Sequence, residues 1–293
     1  MKLSGVIVPH VTPLTRDERL DSAGLERLIE FLLGAGVHGI FSNGSMGGFA
    51  FYPDAMQYET IARTAEIVRG RVPVLAGVSD TSTTRTLARV REAATLGADA
   101  LVVLPPYYYL CRQDEIERFF RAVADESPLP IVLYDNPKLA KNAIAPDTLA
   151  ALAVHPNIIG AKVSATDVFK WQTILRLELP RERFGLICGV EPMMGLGLQL
   201  GFDGVTGGVH NLVPGLAVAL FDAAKAGRVE ETEAIQQKLN RVYRVFEIDG
   251  GWRGAELTLS ALGICQKVTA APHDLPIPAE KRHAILEVLT REG

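Results

Sequence analysis

The sequence predicts an α/β fold, a (β/α)8 barrel of the TIM type with an appended C-terminal helical layer. Three observations predict it. Eight short runs rich in Val, Ile and Leu lack polar alternation, as strands buried on both faces should. Amphipathic helical stretches separate these runs, so that eight βα units fit within about 225 residues. The first βα turn also lacks the G-x-G-x-x-G fingerprint of a competing doubly wound sheet.

Residues 5–11 are the first strand candidate, and residues 22–33 form the helix after it, capped by Asp21 or Ser22. The second strand, 39–45, precedes a helix over 55–68. The third, 72–78, precedes a helix over 83–96 with Ser82 as its cap. The fourth, 100–105, precedes 115–124 with Asp114 as cap. The fifth, 130–135, feeds a helix over 146–153, and further strands follow at 157–164, 184–189 and 204–209. Gly-Ala punctuation at 34–39, 97–100 and 201–204 marks helix ends that lead into strands. Beyond the eighth unit the pattern is purely helical, at 230–248, 254–262 and 279–291. No Pro/Gly/Ser-rich linker sets this part off. Residues 1–225 are therefore expected to form the catalytic barrel, and 226–293 a helical extension of it.

A net charge of −4 with interspersed signs gives no footprint for nucleic acid or for an anionic membrane. Cys111, Cys188 and Cys265 are widely spaced and form neither a metal pattern nor a disulfide framework, which fits a reducing cytoplasm. Neither a signal-peptide core nor an 18-residue apolar span is present, so a soluble cytoplasmic protein is expected.

In such a barrel the active site forms at the C-terminal ends of the strands. Lys162 lies there in an apolar run, Ile158-Ile159-Gly160-Ala161-Lys162-Val163. An ammonium buried in such a strand costs several kcal/mol unless it is paired or gives up its proton. The first outcome makes it structural, and the second makes it a nucleophile for a carbonyl. Other strand ends carry Gly44-Ser45-Met46-Gly47-Gly48, Tyr107-Tyr108-Tyr109, Tyr134-Asp135-Asn136-Pro137, Glu191 and Gly207-Gly208. An amine, a phenol to move protons, a hydroxyl and backbone N–H donors suit imine chemistry. Asn136 and Glu191 stand open between substrate contact and loop scaffolding. Gly207-Gly208 suits either a phosphate or close backbone passage. His10 and His210 are read as structural, and Met193, Met194, Trp171 and Trp252 as helix packing.

Along its whole length the chain resembles the dihydrodipicolinate synthase / N-acetylneuraminate lyase family of class I Schiff-base aldolases and lyases. Three marks carry the resemblance: Gly44-Ser45-Met46-Gly47-Gly48, Tyr134-x-x-Pro137 and Gly160-Ala161-Lys162, with 28 residues from Tyr134 to Lys162. It implies an imine between Lys162 and pyruvate or a related 2-keto acid, with Tyr134 as general acid/base and Ser45 as relay hydroxyl. Tyr108 would then enter the site of a neighbouring subunit, which implies a homotetramer, a dimer of dimers. Gly44, Met46 and Gly47 would present N–H groups to the substrate carboxylate, and Asn136, Glu191 and Gly207 would line the substrate. No metal or organic cofactor is implied, and the expected partner is a small 2-keto acid.

The departures from the family pattern bear on the substrate. Met46 removes a hydroxyl, Gly48 replaces a glutamate, and Leu139 stands where dihydrodipicolinate synthases place an arginine for the second substrate's carboxylate. Lysine-biosynthetic synthase activity is therefore not expected. Pro192 and Gly208 bring no donor side chain where sialate lyases have polar residues, so sialic acid is not expected either. Tyr134-x-Asn136-Pro137 and the apolar Met46 resemble the aromatic hydratase-aldolase branch. Aldol cleavage, dehydration and deamination all draw on the same electron sink and stay open. So do a phosphate-binding isomerase or aldolase using Gly207-Gly208 and a non-catalytic 2-keto-acid binder.

Overall fold

A computed structural model describes residues 2–292. Eight parallel strands close into a barrel in sequence order, β1 pairing with both β2 and β8. In chain order the elements begin β1 (Gly5–Pro9), α1 (Ser22–Gly34), β2 (Gly39–Ser42), α2 (Asp54–Val68), β3 (Val74–Gly77), α3 (Thr83–Ala93), β4 (Ala100–Val103) and α4 (Gln113–Glu126). They continue with β5 (Ile131–Asp135), α5 (Pro137–Ala140), α6 (Pro146–Ala153), β6 (Ile158–Val163), α7 (Val168–Arg176), β7 (Gly185–Cys188), α8 (Met194–Leu200), β8 (Gly204–Val205) and α9 (Pro214–Lys225). Three helices follow, α10 (Val229–Ile248), α11 (Trp252–Ala261) and α12 (Ala279–Glu292). Among the described residues no helix is long and apolar enough to cross a membrane.

The helix caps follow from local chemistry. Asp21 accepts from Gly24 N at 2.9 Å and Ser82 from Arg85 N at 3.4 Å, as the sequence predicts. At α4 the expected cap, Asp114, falls inside the first turn. Glu115 instead reaches back to accept from Arg112 N at 2.8 Å, and the helix starts at Gln113. The eighth strand is much shorter than the expected 204–209. After Thr206 N donates to Cys188 O at 2.9 Å, the chain turns through Gly207 into a 3-10 turn, Gly208–Asn211.

Two apolar layers result. Outward-facing strand residues such as Val6, Leu133 and Val163 pack against the helices, while Ile7, Phe41, Leu75, Val102, Val132 and Ile187 fill the barrel. Every strand is buried along its length, which accounts for the missing polar alternation. The last helices lie beside the barrel mouth, α10 packing on α8, α9 and α12.

Candidate active site

The register between β5 and β6 sets the geometry. Ile131 pairs with Ile158, but Val132 pairs with Gly160, so a bulge lets one strand gain a residue on the other. Tyr134 then lies beside Lys162, and both face the barrel interior. Without the bulge, Tyr134 would pair with Ala161 and Lys162 would turn outward, because a one-residue slip flips the face. Gly160 is required at this point: a Cβ there would stand 2.5 Å from Gly185 O.

Lys162 is 8% exposed, at the floor of a cavity of about 470 Å³ at the C-terminal mouth of the barrel. Its Nζ lies 4.2 Å from the Tyr134 ring centroid and 5.1 Å from that of Phe41. No carboxylate among the described residues forms an ion pair with it. The acidic neighbour in sequence, Asp135, points out of the barrel, where it pairs with Lys170 Nζ at 2.5 Å and accepts from Ile144 N at 2.9 Å. Of the two fates open to a buried lysine, the paired structural one is therefore absent.

Tyr134 is buried, and its hydroxyl accepts from Asn136 Nδ2 at 2.9 Å. Burial pushes its pKa up. That is outweighed by the charge of Lys162, the nearby Ser45 hydroxyl, the Asn136 amide and contact with Lys162, which together hold the phenol below its ordinary value. Ser45 Oγ itself is buried without a hydrogen bond of full geometry, although it lies close enough to favour the phenolate. Asn136 has the scaffolding role that the sequence left open, its Oδ1 accepting from Leu139 N at 3.4 Å to cap α5, and it also lines the cavity.

Opposite the lysine, Ser45 and Met46 line the cavity, while Gly44 and Gly47 sit behind them in the turn. Among the described residues the backbone N–H groups of Ser45, Met46 and Gly47 find no acceptor, which leaves them available to an anion. A network that the sequence does not reveal holds this turn. Asn43 Nδ2 donates to Gln57 O, and Arg89 donates to Gln57 Oε1 and to Asp80. From the far end of the chain, Trp252 Nε1 donates to Met46 O at 2.8 Å. Trp252 and Tyr243 both line the cavity, so the extension supplies part of the wall; packing alone does not describe Trp252.

Glu191 is half-buried in the same wall and accepts from Val209 N at 2.7 Å. Burial raises its carboxyl above the usual range, against the opposing effects of Val209, the Lys162 charge and Gly208. A carboxyl that resists ionisation does not lock the lysine in an ion pair. Gln236 of α10 donates to Glu191 O at 3.0 Å, a second tie from the extension. Gly207 reaches the cavity and makes room for Glu191, whose Cγ would lie 2.4 Å from a Cβ there.

Tyr108 is not brought to its own protomer's cavity. It is 69% exposed with φ +87°, a backbone that costs a tyrosine energy, and its ring packs edge-on against Tyr109. His10 is structural in its bonding, whereas His210 Nδ1 is buried without a partner. His10 bridges Val11 O and Thr64 Oγ1, with burial pushing it down to about 4. His210 is pushed down to about 3 by burial and then by the Lys162 charge, and its Nε2 lies 3.2 Å from Met194 Sδ.

Comparison with known proteins places this geometry in context. The family model of the dihydrodipicolinate synthetase family matches residues 2–292. A 4-hydroxy-tetrahydrodipicolinate synthase of Stenotrophomonas maltophilia is 34% identical over 95% of this chain and 91% of its own. An N-acetylneuraminate lyase of Rhizobium meliloti is 31% identical, over 90% and 87%. Among solved structures, the Escherichia coli prophage protein YagE, in complex with pyruvate, superposes with a TM-score of 0.92 at 28% identity, covering 99% of this chain and 98% of that one.

Proposed function

Since the chain belongs to the dihydrodipicolinate synthetase family and is a class I lyase of the Schiff-base type, we propose that Lys162 forms the imine with pyruvate or a related 2-keto acid. The observation that carries this is the side-by-side placement of Lys162 and Tyr134, facing into the cavity with no carboxylate claiming the amine.

The proposed sequence follows from the positions. The substrate carboxylate sits on the free N–H groups of the Ser45–Gly47 turn, which points its C2 carbonyl at Lys162 Nζ. Attack by the amine and loss of water give the imine, which withdraws electrons from C3 and from the bond beyond it. Tyr134, favoured as phenolate by Lys162 and Asn136, removes the proton that lets that bond break and later returns one to C3. Ser45 Oγ, free of other partners, passes the proton toward the cavity mouth. Water then hydrolyses the imine and frees the lysine.

We also propose that Tyr108 completes a neighbouring site in a homotetramer, since its strained, exposed ring touches Tyr109 and Lys141 but does not line its own protomer's cavity. Residues 1–225 act as the catalytic barrel in this reading, and 226–293 as an extension that braces the mouth, in a protein of the cytoplasm. Borohydride reduction in the presence of pyruvate, followed by peptide mass mapping, tests the central claim. An adduct at Lys162 that Lys162→Ala abolishes is expected; an adduct elsewhere, or one that survives the substitution, refutes it.

A further inference from the structure

We propose that Thr206 is the catalytic residue of the water steps: its hydroxyl holds the water that leaves C2 as the imine forms, and delivers it back when the imine is hydrolysed. The inference rests on the imine at Lys162 and adds the group that handles its water. Tyr134 and Ser45 move protons on the far side of the lysine, and neither is needed at C2 while the water adds.

Three observations carry this. The first is an unused hydroxyl. Thr206 is 2% exposed, and its Oγ1 has no hydrogen-bond partner among the described residues. A buried hydroxyl left unbonded costs stability that a valine of the same shape would keep, so its partner arrives with the substrate. The second is its place in the barrel. Lys162 pairs with Ile187, and Ile187 with Gly204. Thr206 N continues that ladder onto Cys188 O, and Thr206 shares the inward face of Gly204, two residues before it. Thr206 therefore lines the reactive cavity together with Lys162. An imine at Lys162 has Tyr134 on its β5 side and Thr206 on its β8 side. The third is what lies below. Lys162 and Thr206 also line a space of about 10 Å³ beneath the cavity, whose other walls, such as Leu3, Ile7, Leu75 and Val102, are apolar. No other side chain there can bond the hydroxyl. A space of that size holds at most one water, so water given off at C2 does not drain into the core.

In hydrolysis the water on Thr206 adds through its oxygen to C2 of the protonated imine, and the π pair of the C2–N bond moves onto nitrogen. The Thr206 hydroxyl accepts a proton from that water as it gives its own to the nitrogen, which leaves a carbinolamine. The C2–N bond then breaks with its pair going to nitrogen, and the remaining hydroxyl proton follows it. The 2-keto acid departs, and Lys162 is left as the ammonium with both protons of the water. Imine formation runs the same steps backward. No oxidant or reductant enters.

The test compares wild type with Thr206→Val, which keeps the shape without the hydroxyl, and Thr206→Ser, which keeps the hydroxyl. Each protein is loaded with isotopically labelled pyruvate, chased with excess unlabelled pyruvate and quenched with borohydride at successive times. Peptide mass mapping then reads how fast the label leaves Lys162. Thr206→Val is expected to lose its label at least about tenfold more slowly than wild type, and Thr206→Ser at a rate nearer to wild type than to Thr206→Val. The adduct level at saturating pyruvate should stay unchanged, because formation and hydrolysis slow together. In deuterium oxide, the share of triply deuterated pyruvate among released molecules should be no smaller than in wild type, since each imine lasts longer while Tyr134 is untouched. Thermal unfolding of Thr206→Val should come no lower than wild type, because the hydroxyl has no partner in the fold to lose. A smaller slowing, a Thr206→Ser protein as slow as Thr206→Val, or a reduced triply deuterated share overturns the proposal. So does a lower melting temperature or a failure to fold in Thr206→Val, which marks the hydroxyl as bonded within the fold. These outcomes sink the role of Thr206 alone, whereas a wild-type protein without an adduct at Lys162 sinks the imine chemistry beneath it.

Discussion

Asn136 offers the sharpest test of how the phenol is tuned, because its two bonds can be cut separately. Its Nδ2 donates to the Tyr134 hydroxyl and its Oδ1 caps α5. Asn136→Asp keeps the capping oxygen but replaces the donor with a negative charge; Asn136→Ala removes both. A hydrogen bond to a charged group contributes about 1.5–3 kcal/mol, and one pKa unit corresponds to about 1.36 kcal/mol, so losing the donation raises the phenol pKa by about one to two units. The sign follows from the role. In the proposed mechanism Tyr134 works as phenolate, so its ionised fraction grows as pH rises, and a raised pKa moves that growth to higher pH. Exchange of the pyruvate methyl protons for deuterium, followed by NMR across neutral to alkaline pH, reads this step without a second substrate. Both variants are expected to exchange about 10- to 100-fold more slowly at neutral pH and to recover as pH rises. Asn136→Asp should shift at least as far as Asn136→Ala, because its charge opposes the phenolate. Stability should divide the other way, with Asn136→Ala losing about 0.5–2 kcal/mol of cap and Asn136→Asp little. An unshifted exchange profile in a folded Asn136→Asp protein refutes the assignment of Asn136 and of the phenolate together.

Three further outcomes are expected. Gly160→Ala drives a Cβ against Gly185 O, so thermal unfolding should show a loss of about 1–3 kcal/mol, and borohydride labelling of Lys162 should weaken as the bulge shifts. Lys170→Met strands the buried Asp135 carboxylate and should cost about 3–5 kcal/mol in a denaturant titration, without moving the pH profile of exchange. Trp252→Phe keeps the ring but not the bond to Met46 O. It should cost about 0.5–1.5 kcal/mol and raise the pyruvate KM several-fold, as read by steady-state kinetics.

The alternation of apolar runs and amphipathic helices made the barrel legible, because strands covered on both faces must be apolar throughout and eight of them close a sheet. Lys162 was legible for the same reason, as a charge that such a run does not tolerate without cause. Its direction was not. A period of two carried across residues 158–163 from Ile159, which faces inward, would put Ala161 inside and Lys162 outside; the structure has the reverse. Only the bulge at Ile159–Gly160 restores the lysine to the interior, and a bulge is a property of the pairing with β5, not of either strand alone. Trp252 was misplaced on similar grounds. Its residue type is common in helix packing, and its partner, Met46 O, lies 206 positions away and carries no side-chain signal. Local pattern therefore named the reacting groups, while long-range register and distant helices decide where those groups point and what shape of substrate reaches them. A relative that kept Lys162 and Tyr134 but lost the bulge would carry the motif without the imine.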